Sequence, residues 1–413
     1  MNLIKTSFYT SISTAIGFVS GFIVTKVVAI KIGPEGMAYV GQFQNTTAIL
    51  TLLATGAITT GVIKYLAEHQ NDPVKRSQII NTAFLIVFFS SLVISLFVMS
   101  ASGYLSEAAF KTADFWIVYF SFGLFTLLIS FNAMFSAILN GLKEIRKFTI
   151  INICTSVTGV ILTVIFAFSF GVIGVLVSSI ATGIVIFFIN VYIFNKLGIK
   201  WKPDFKSWDK SVLKMLSGFS LMAIVGGILT PTMQIMVRDK IIMDYSIADA
   251  GYWQAVTRIS DYYLGFITSV LAVYYMPRLS EIKSKKEMRN EIINGYKLVL
   301  PVVGIIALII WLSKDFIIHI LFTPEFLPMK PLFTFQLLGD FFKIGSWLLT
   351  YIMIAKALTK TYIITDIIFA ISYVALSYYF INQFGIIGAT YSFCINYAGY
   401  WILMWILMRK EIE

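Results

Sequence analysis

Residues 329–355 read MKPLFTFQLLGDFFKIGSWLLTYIMIA. The run is long enough to cross a hydrocarbon layer of roughly 30 Å, which takes about 20 apolar residues in a helix. Yet Asp340 and Lys343 sit inside it, three residues apart and hence on one helix face. A charge near the bilayer centre costs about 2.5–3.5 kcal/mol on insertion scales, so such groups turn toward protein or water. What surrounds this segment decides between a soluble core helix and a membrane span.

The surroundings are apolar throughout. Of 413 residues, 58% are hydrophobic and 13% charged, and the mean hydropathy is +0.84. A soluble domain cannot hide that much apolar surface, and a lipid-embedded one need not. Runs of spanning length fall near 8–32, 37–66, 79–101, 115–140, 148–169, 171–194, 212–237, 250–276, 291–312, 329–355, 361–381 and 385–408. None alternates with period two, which argues against barrel strands. The reading is an all-α polytopic membrane protein of about 12 transmembrane helices. With only Lys5 ahead of the first run and no convincing small-residue cleavage site after it, that run is expected to be a retained helix.

Basic residues set the orientation. Placing the N-terminus inside puts about twenty Lys/Arg on the inner face and about six outside, as the positive-inside rule requires. They concentrate in NGLKEIRKF (140–148), NKLGIKWKPDFKSWDK (195–210) and RLSEIKSKKEMR (278–289). Both termini are therefore expected in the cytoplasm. The net charge of +11 is mostly this signal, and its dispersal over separate loops argues against nucleic acid as a partner. The two cysteines lie in apolar runs and the two histidines are far apart, so neither a disulfide nor a metal site is expected, and no cofactor.

The chain also repeats. A slide of 213 residues superposes Tyr39 on Tyr252, Leu66 on Leu279, Glu68 on Glu281, and IIN at 79–81 on IIN at 292–294. With one residue of slippage FGVIG (170–174) meets FGIIG (384–388). Six spans per copy return each repeat to the same side, which implies two parallel-repeat six-helix bundles. The expected bounds are 1–194, a cytoplasmic linker 195–211 with Trp201, Pro203 and Trp208, and 212–413.

Candidate functional residues are the ionisable groups inside spans. Arg258 and Asp261 in TRISDYY repeat the three-residue spacing of Asp340 and Lys343, so each pair can neutralise itself as a buried strut or line a shared aqueous cavity. Lys26 has no acid within a helical turn, while Lys64 lies near a helix end where it can snorkel. Asp366 has no base at i±3 or i±4 and is either a wet helix start or, with Asp261 and Asp340, a carrier for a coupling proton or sodium ion. Several intramembrane bases suit an anionic ligand such as a diphosphate. Gln42, Gln44, Asn45, Gln234, Gln254 and Gln336 offer hydrogen bonds to sugar hydroxyls or between helices, and Trp253, Tyr262, Tyr263 and Trp347 offer stacking faces. SLMAIVGGILTPTMQ (220–234) supplies Gly226, Gly227 and Pro231 as a hinge or a static kink. No Gly-rich phosphate loop is present and no outer loop is long enough for a catalytic domain, so a transporter is favoured over an enzyme.

TKVVAIKIGPEGMAYVGQF (25–43), GVIKYLAE (61–68), GYWQAVTRISDYYLGFITS (251–269), FQLLGDFFKIG (335–345) and YIMIAKA (351–357) resemble the Wzx family of lipid-linked oligosaccharide flippases over essentially the whole chain. The resemblance implies the fold shared with multidrug and toxin extruders, a V-shaped pair of bundles in the bacterial inner membrane. It also implies transfer of an undecaprenyl-diphosphate-linked oligosaccharide to the periplasmic leaflet by alternating access. The cargo would be lipid III of enterobacterial common antigen or an O-antigen unit, and a polymerase and a chain-length regulator would be partners. The positions it carries over are Lys26, Lys64, Asp261, Asp340 and Lys343, with Arg258 less secure. The competing reading is an ion-coupled multidrug exporter on the same scaffold, which would favour an acidic cavity.

Overall fold

In the computed structural model the described residues are 3–199, 209–356 and 358–412, and among them there is no strand. Trp201, Pro203 and Trp208 of the expected linker lie outside this set. In lipid every backbone polar group must be satisfied within the chain, and helices do so segment by segment.

Two elements are far longer than one crossing. Helix α1 (Leu3–Ala54) and helix α6 (Ile145–Lys196) each run 52 residues, enough for two crossings. Each is broken by a glycine in the left-handed region, Gly33 (φ 70°) and Gly171 (φ 55°), a conformation that side chains with a Cβ resist. Pro34 then opens the second half of α1, where its missing N–H is harmless. Gly385 (φ 71°) repeats the device between helix α12 (Thr359–Phe384) and helix α13 (Ile387–Ile412).

The other long helices are α3 (Pro73–Ser100), α5 (Trp116–Gly141), α7 (Lys210–Asp244), α8 (Ile247–Glu281), α9 (Lys285–Leu312) and α11 (Leu332–Ala355). Among the described residues eight helices are long and apolar enough to span, or nine if the bent α7 counts as one. With α1 and α6 each supplying two crossings and the charge-bearing α8 added, every one of the twelve apolar runs has its helix. The chain is a multi-pass, all-α membrane protein.

Short helices absent from the sequence reading follow α3 and α9: α4 (Ser102–Phe110) and α10 (Lys314–Leu321), the latter succeeded by a 3-10 turn at Pro324–Met329. Neither is long enough to register as a span. A further short helix, α2 (Thr59–Glu68), completes the second crossing after positive-φ residues Gly56 and Ala57 interrupt it.

Two compact units emerge from packing: Met1–Ile32 with Tyr39–Pro231, and Gly33–Ala38 with Thr232–Glu413. The division therefore falls at Pro231 within α7, not in the loop 195–211. The physical reason is that Val212 and Leu216 pack into the first unit's core and the Ser220 hydroxyl donates to the Gly56 carbonyl (3.0 Å). The bend in α7, 44° between residues 210–218 and 223–244, precedes Gly226, Gly227 and Pro231. Gly227 instead accommodates Leu52, which occupies the place of its missing side chain.

The first core interlocks Leu66, Ile79, Phe84, Phe131, Phe135 and Phe194, with a polar clamp of Asn190 donating to Asn132 (2.9 Å) and Asn132 to the Gly183 carbonyl (2.7 Å). The second gathers Leu264, Tyr275, Met288, Ile344, Leu348 and Met404. Outward faces are equally greasy: Val93 is 65% and Phe168 63% exposed, a penalty in water and none in lipid.

The sequence repeat reappears as matched contacts. Across the α6 turn Thr163 and Ser178 hydroxyls meet at 3.0 Å, and across the α12–α13 turn Ser377 and Ser392 meet at 2.8 Å. A Cβ on Gly174 would strike the Phe166 carbonyl, and one on Gly388 the Phe380 carbonyl. Both repeats are built by the same close approach.

Candidate functional site

The second unit brings four of the sequence candidates together. Helix α8 carries Arg258 and Asp261, helix α11 carries Asp340 and Lys343, and the two helices pack against each other. Three-residue spacing points each pair the same way around its helix.

Asp340 is wholly buried. Its carboxylate accepts a hydrogen bond from the Tyr263 hydroxyl at 2.7 Å and a long one from the Gln336 amide at 3.4 Å. Lys343, one turn on, is the nearest cation acting on it, and Asp261 also lies within its field. A buried carboxylate needs such partners because desolvation otherwise exceeds any Coulombic gain.

Lys343 is half-buried, its ammonium 5.5 Å from the Trp347 ring, 5.7 Å from Tyr397 and 5.9 Å from Phe393. Aromatic faces attract a cation without neutralising it, so the charge stays available to an anion. Asp261 keeps an exposed side chain with Lys343 and Arg258 as its neighbouring charges. Arg258 lies half-buried, 5.9 Å from the Tyr262 ring. The cluster thus hides one acid and leaves two bases and one acid reachable.

Arg238 belongs to this cluster and escaped the sequence reading. It is completely buried in α7, donates to the Gln254 side chain, and lies 5.4 Å from the Trp253 ring, with Arg258 and Asp239 in its field. In QIMVRDK (234–240) the apolar run ends at Val237, so Arg238–Asp239–Lys240 looked like a solvated helix end. The helix instead continues to Asp244. The adjacent acid and a neighbouring Trp-Gln pair were the signal available.

Asp366 is not merely a wet helix start: it is half-buried and accepts hydrogen bonds from the Tyr362 and Tyr400 hydroxyls. Tyr397 lies in the field of Asp340, Asp366 and Asp261 alike. The first unit holds the two remaining bases. Lys26 of α1 has an exposed side chain, and Lys64 of α2 is exposed with its ammonium 5.2 Å from the Tyr65 ring. Among the described residues no group of three or more His, Cys, Asp or Glu side chains could hold a metal ion, and Cys154 and Cys394 are both free thiols.

Known proteins resemble this chain in sequence and in fold. The family described as "Polysaccharide biosynthesis protein" matches residues 41–331. The "Lipid III flippase" of Escherichia coli (strain K12) is 29% identical over 416 residues, covering all of both chains, as is that of Shigella flexneri. Among solved structures, an "Inward-facing conformation of a multidrug resistance MATE family transporter of the MOP superfamily" superposes with a TM-score of 0.79 at 15% identity, covering 96% of this chain and 94% of that one. That likeness shows the fold, an all-α multi-pass membrane architecture.

Proposed function

The chain is a member of the polysaccharide biosynthesis protein family, and on that premise we propose that it is a flippase for an undecaprenyl-diphosphate-linked oligosaccharide. The carrying observation is the α8–α11 cluster, where Lys343 sits among Trp347, Phe393 and Tyr397 and Arg258 shares its surroundings. A diphosphate offers only acceptors and negative charge, which these two bases complement, while the prenyl tail stays in lipid. Tyr263 and Gln336 hold Asp340 in place, and Lys343 lies in the field of that carboxylate.

The cargo moves from the cytoplasmic to the periplasmic leaflet of the bacterial inner membrane by alternating access, with both termini in the cytoplasm. Lys26 and Lys64 of the first unit are further exposed bases of a kind suited to an anionic headgroup. The cargo is lipid III or an O-antigen unit, delivered to a cognate polymerase and its chain-length regulator. A proton or sodium gradient drives the cycle through Asp261, Asp340 or Asp366, of which Asp366 already has two tyrosyl donors to trade against a proton. The relatives' names support a transporter over an enzyme.

The test is reconstitution. Proteoliposomes carrying a fluorescent undecaprenyl-diphosphate oligosaccharide should show protein-dependent transfer, and Lys343→Met should abolish it while Lys343→Arg retains a measurable rate. Transfer unchanged in Lys343→Met, or transport of cationic drugs in place of the lipid, overturns the reading. Surface-glycan analysis of a deletion strain then identifies the glycan, since the polymer that disappears and the lipid-linked precursor that accumulates name it.

A further inference from the structure

We propose that the first unit carries a separate, uncharged sugar-binding site, and this rests on the flippase reading above. A cavity of about 490 Å³ opens among the second half of α1, the start of α2, α5 and the second half of α6. That volume lies within the roughly 300–1,000 Å³ range of ligand pockets. No ionisable side chain is among its lining residues, which sets it apart from the Arg258–Lys343 cluster.

Its polar groups come as a stripe. Thr47 and Thr51 lie one turn apart on α1 and Thr55 follows in the turn just past its end, and Gln44, Thr59 and Ser179 extend the polar wall. Three of the hydroxyl protons are already committed. Thr47 donates to the Phe43 carbonyl (2.7 Å), Thr55 to that of Leu52 (2.8 Å) and Ser179 to that of Leu176 (2.9 Å). A hydroxyl that donates back to its own helix keeps its lone pairs for other partners. Those three hydroxyls therefore offer neutral acceptors, beside an apolar lining that includes Leu52, Ile129 and Ile180.

A ligand matching this wall brings hydroxyl or amide donors, no net charge and an apolar face. A diphosphate has acceptors only and meets no cation here. A cationic drug would lose hydration with no carboxylate to replace it. A pyranose ring satisfies all three conditions: hydroxyl donors around its rim, neutrality, and a C–H face for the apolar lining. The geometry assigns the glycan to this cavity.

Two probes separate the two assignments, bare undecaprenyl diphosphate and the same lipid bearing one N-acetylglucosamine, titrated onto the purified full chain in detergent micelles. Wild type should bind the glycosylated lipid more tightly. Thr47→Val/Thr55→Val keeps side-chain shape and should erase about tenfold of that preference, two neutral hydrogen bonds' worth, without changing affinity for the bare lipid. Ala133→Leu, which fills the cavity, gives the same readout if the double variant folds poorly. Equal loss for both lipids, or no wild-type preference for the sugar, overturns the cavity assignment, as does ethidium binding that follows the threonines. If bare-lipid binding ignores Lys343→Met while the sugar preference still follows the threonines, the diphosphate reading fails and the cavity stands.

Discussion

Replacing Tyr263 by phenylalanine removes one hydroxyl from a buried carboxylate whose other partners are the Gln336 amide, the Ser260 hydroxyl and the Lys343 charge. Asp340 is 0% exposed, the Tyr263 bond is 2.7 Å and the Gln336 bond is stretched to 3.4 Å. A 2.7 Å contact is the length of a strong hydrogen bond to a carboxylate, and a 3.4 Å one contributes little. Hydrogen bonds to charged groups contribute about 1.5–3 kcal/mol, so Tyr263→Phe should destabilise the chain by that amount. In an Asp340→Asn background the same hydroxyl faces a neutral amide, where a bond contributes about 1 kcal/mol. The double-mutant cycle should thus return a coupling of about 1–2 kcal/mol, inside the range for residues in direct contact. Reversible unfolding in mixed SDS micelles, followed by tryptophan fluorescence in all four proteins, measures it. A coupling below about 0.5 kcal/mol would mean that Asp340 is either uncharged or held by something else.

The repeat predicts a matched pair of failures: Gly174→Ala and Gly388→Ala each drive a methyl into a backbone carbonyl, so each should destabilise by about 3 kcal/mol or more in the same micelle assay. Equal tolerance of both would contradict the close hairpin approach. Thr163→Val and Ser377→Ala each break one hydroxyl pair and should cost about 1 kcal/mol, several times less than the glycines. Asp209, ahead of α7, gives a pH signature. The Ser211 hydroxyl, the Val212 and Ser211 backbone N–H groups and the Lys75 charge hold its carboxyl below the usual carboxylate range. A depressed folded value means its stabilisation is complete above the unfolded value of about 3.9 and is lost as pH falls through the folded one. The melting difference between wild type and Asp209→Asn should therefore be flat from about pH 8 to 5 and shrink only below about 4; a difference that changes near neutrality would contradict this cap.

Sequence fixes the fold class because lipid enforces length and polarity on each segment independently. Twelve runs long and apolar enough to span are legible one at a time, and all twelve are helices. The repeat was legible for a related reason. A turn such as FGVIG at 170–174 or FGIIG at 384–388 needs a left-handed glycine and a second glycine at the close approach, so local sterics preserve both letters. Intramembrane charge was likewise visible, because Asp340 and Lys343 are conspicuous in an apolar run.

Tertiary structure decided everything that depends on partners distant in sequence. Asp340 is anchored by Tyr263 of another helix, Lys343 is ringed by aromatics of α13, and Asp366 is held by Tyr400. Arg238 was hidden because sequence marks where apolarity stops, not where a helix stops, and only packing shows that α7 carries it into the interior. The unit boundary at Pro231 and the threonine-lined cavity are of the same kind. Hydropathy is a sum over one segment, whereas burial, pairing and cavity volume are properties of several segments at once.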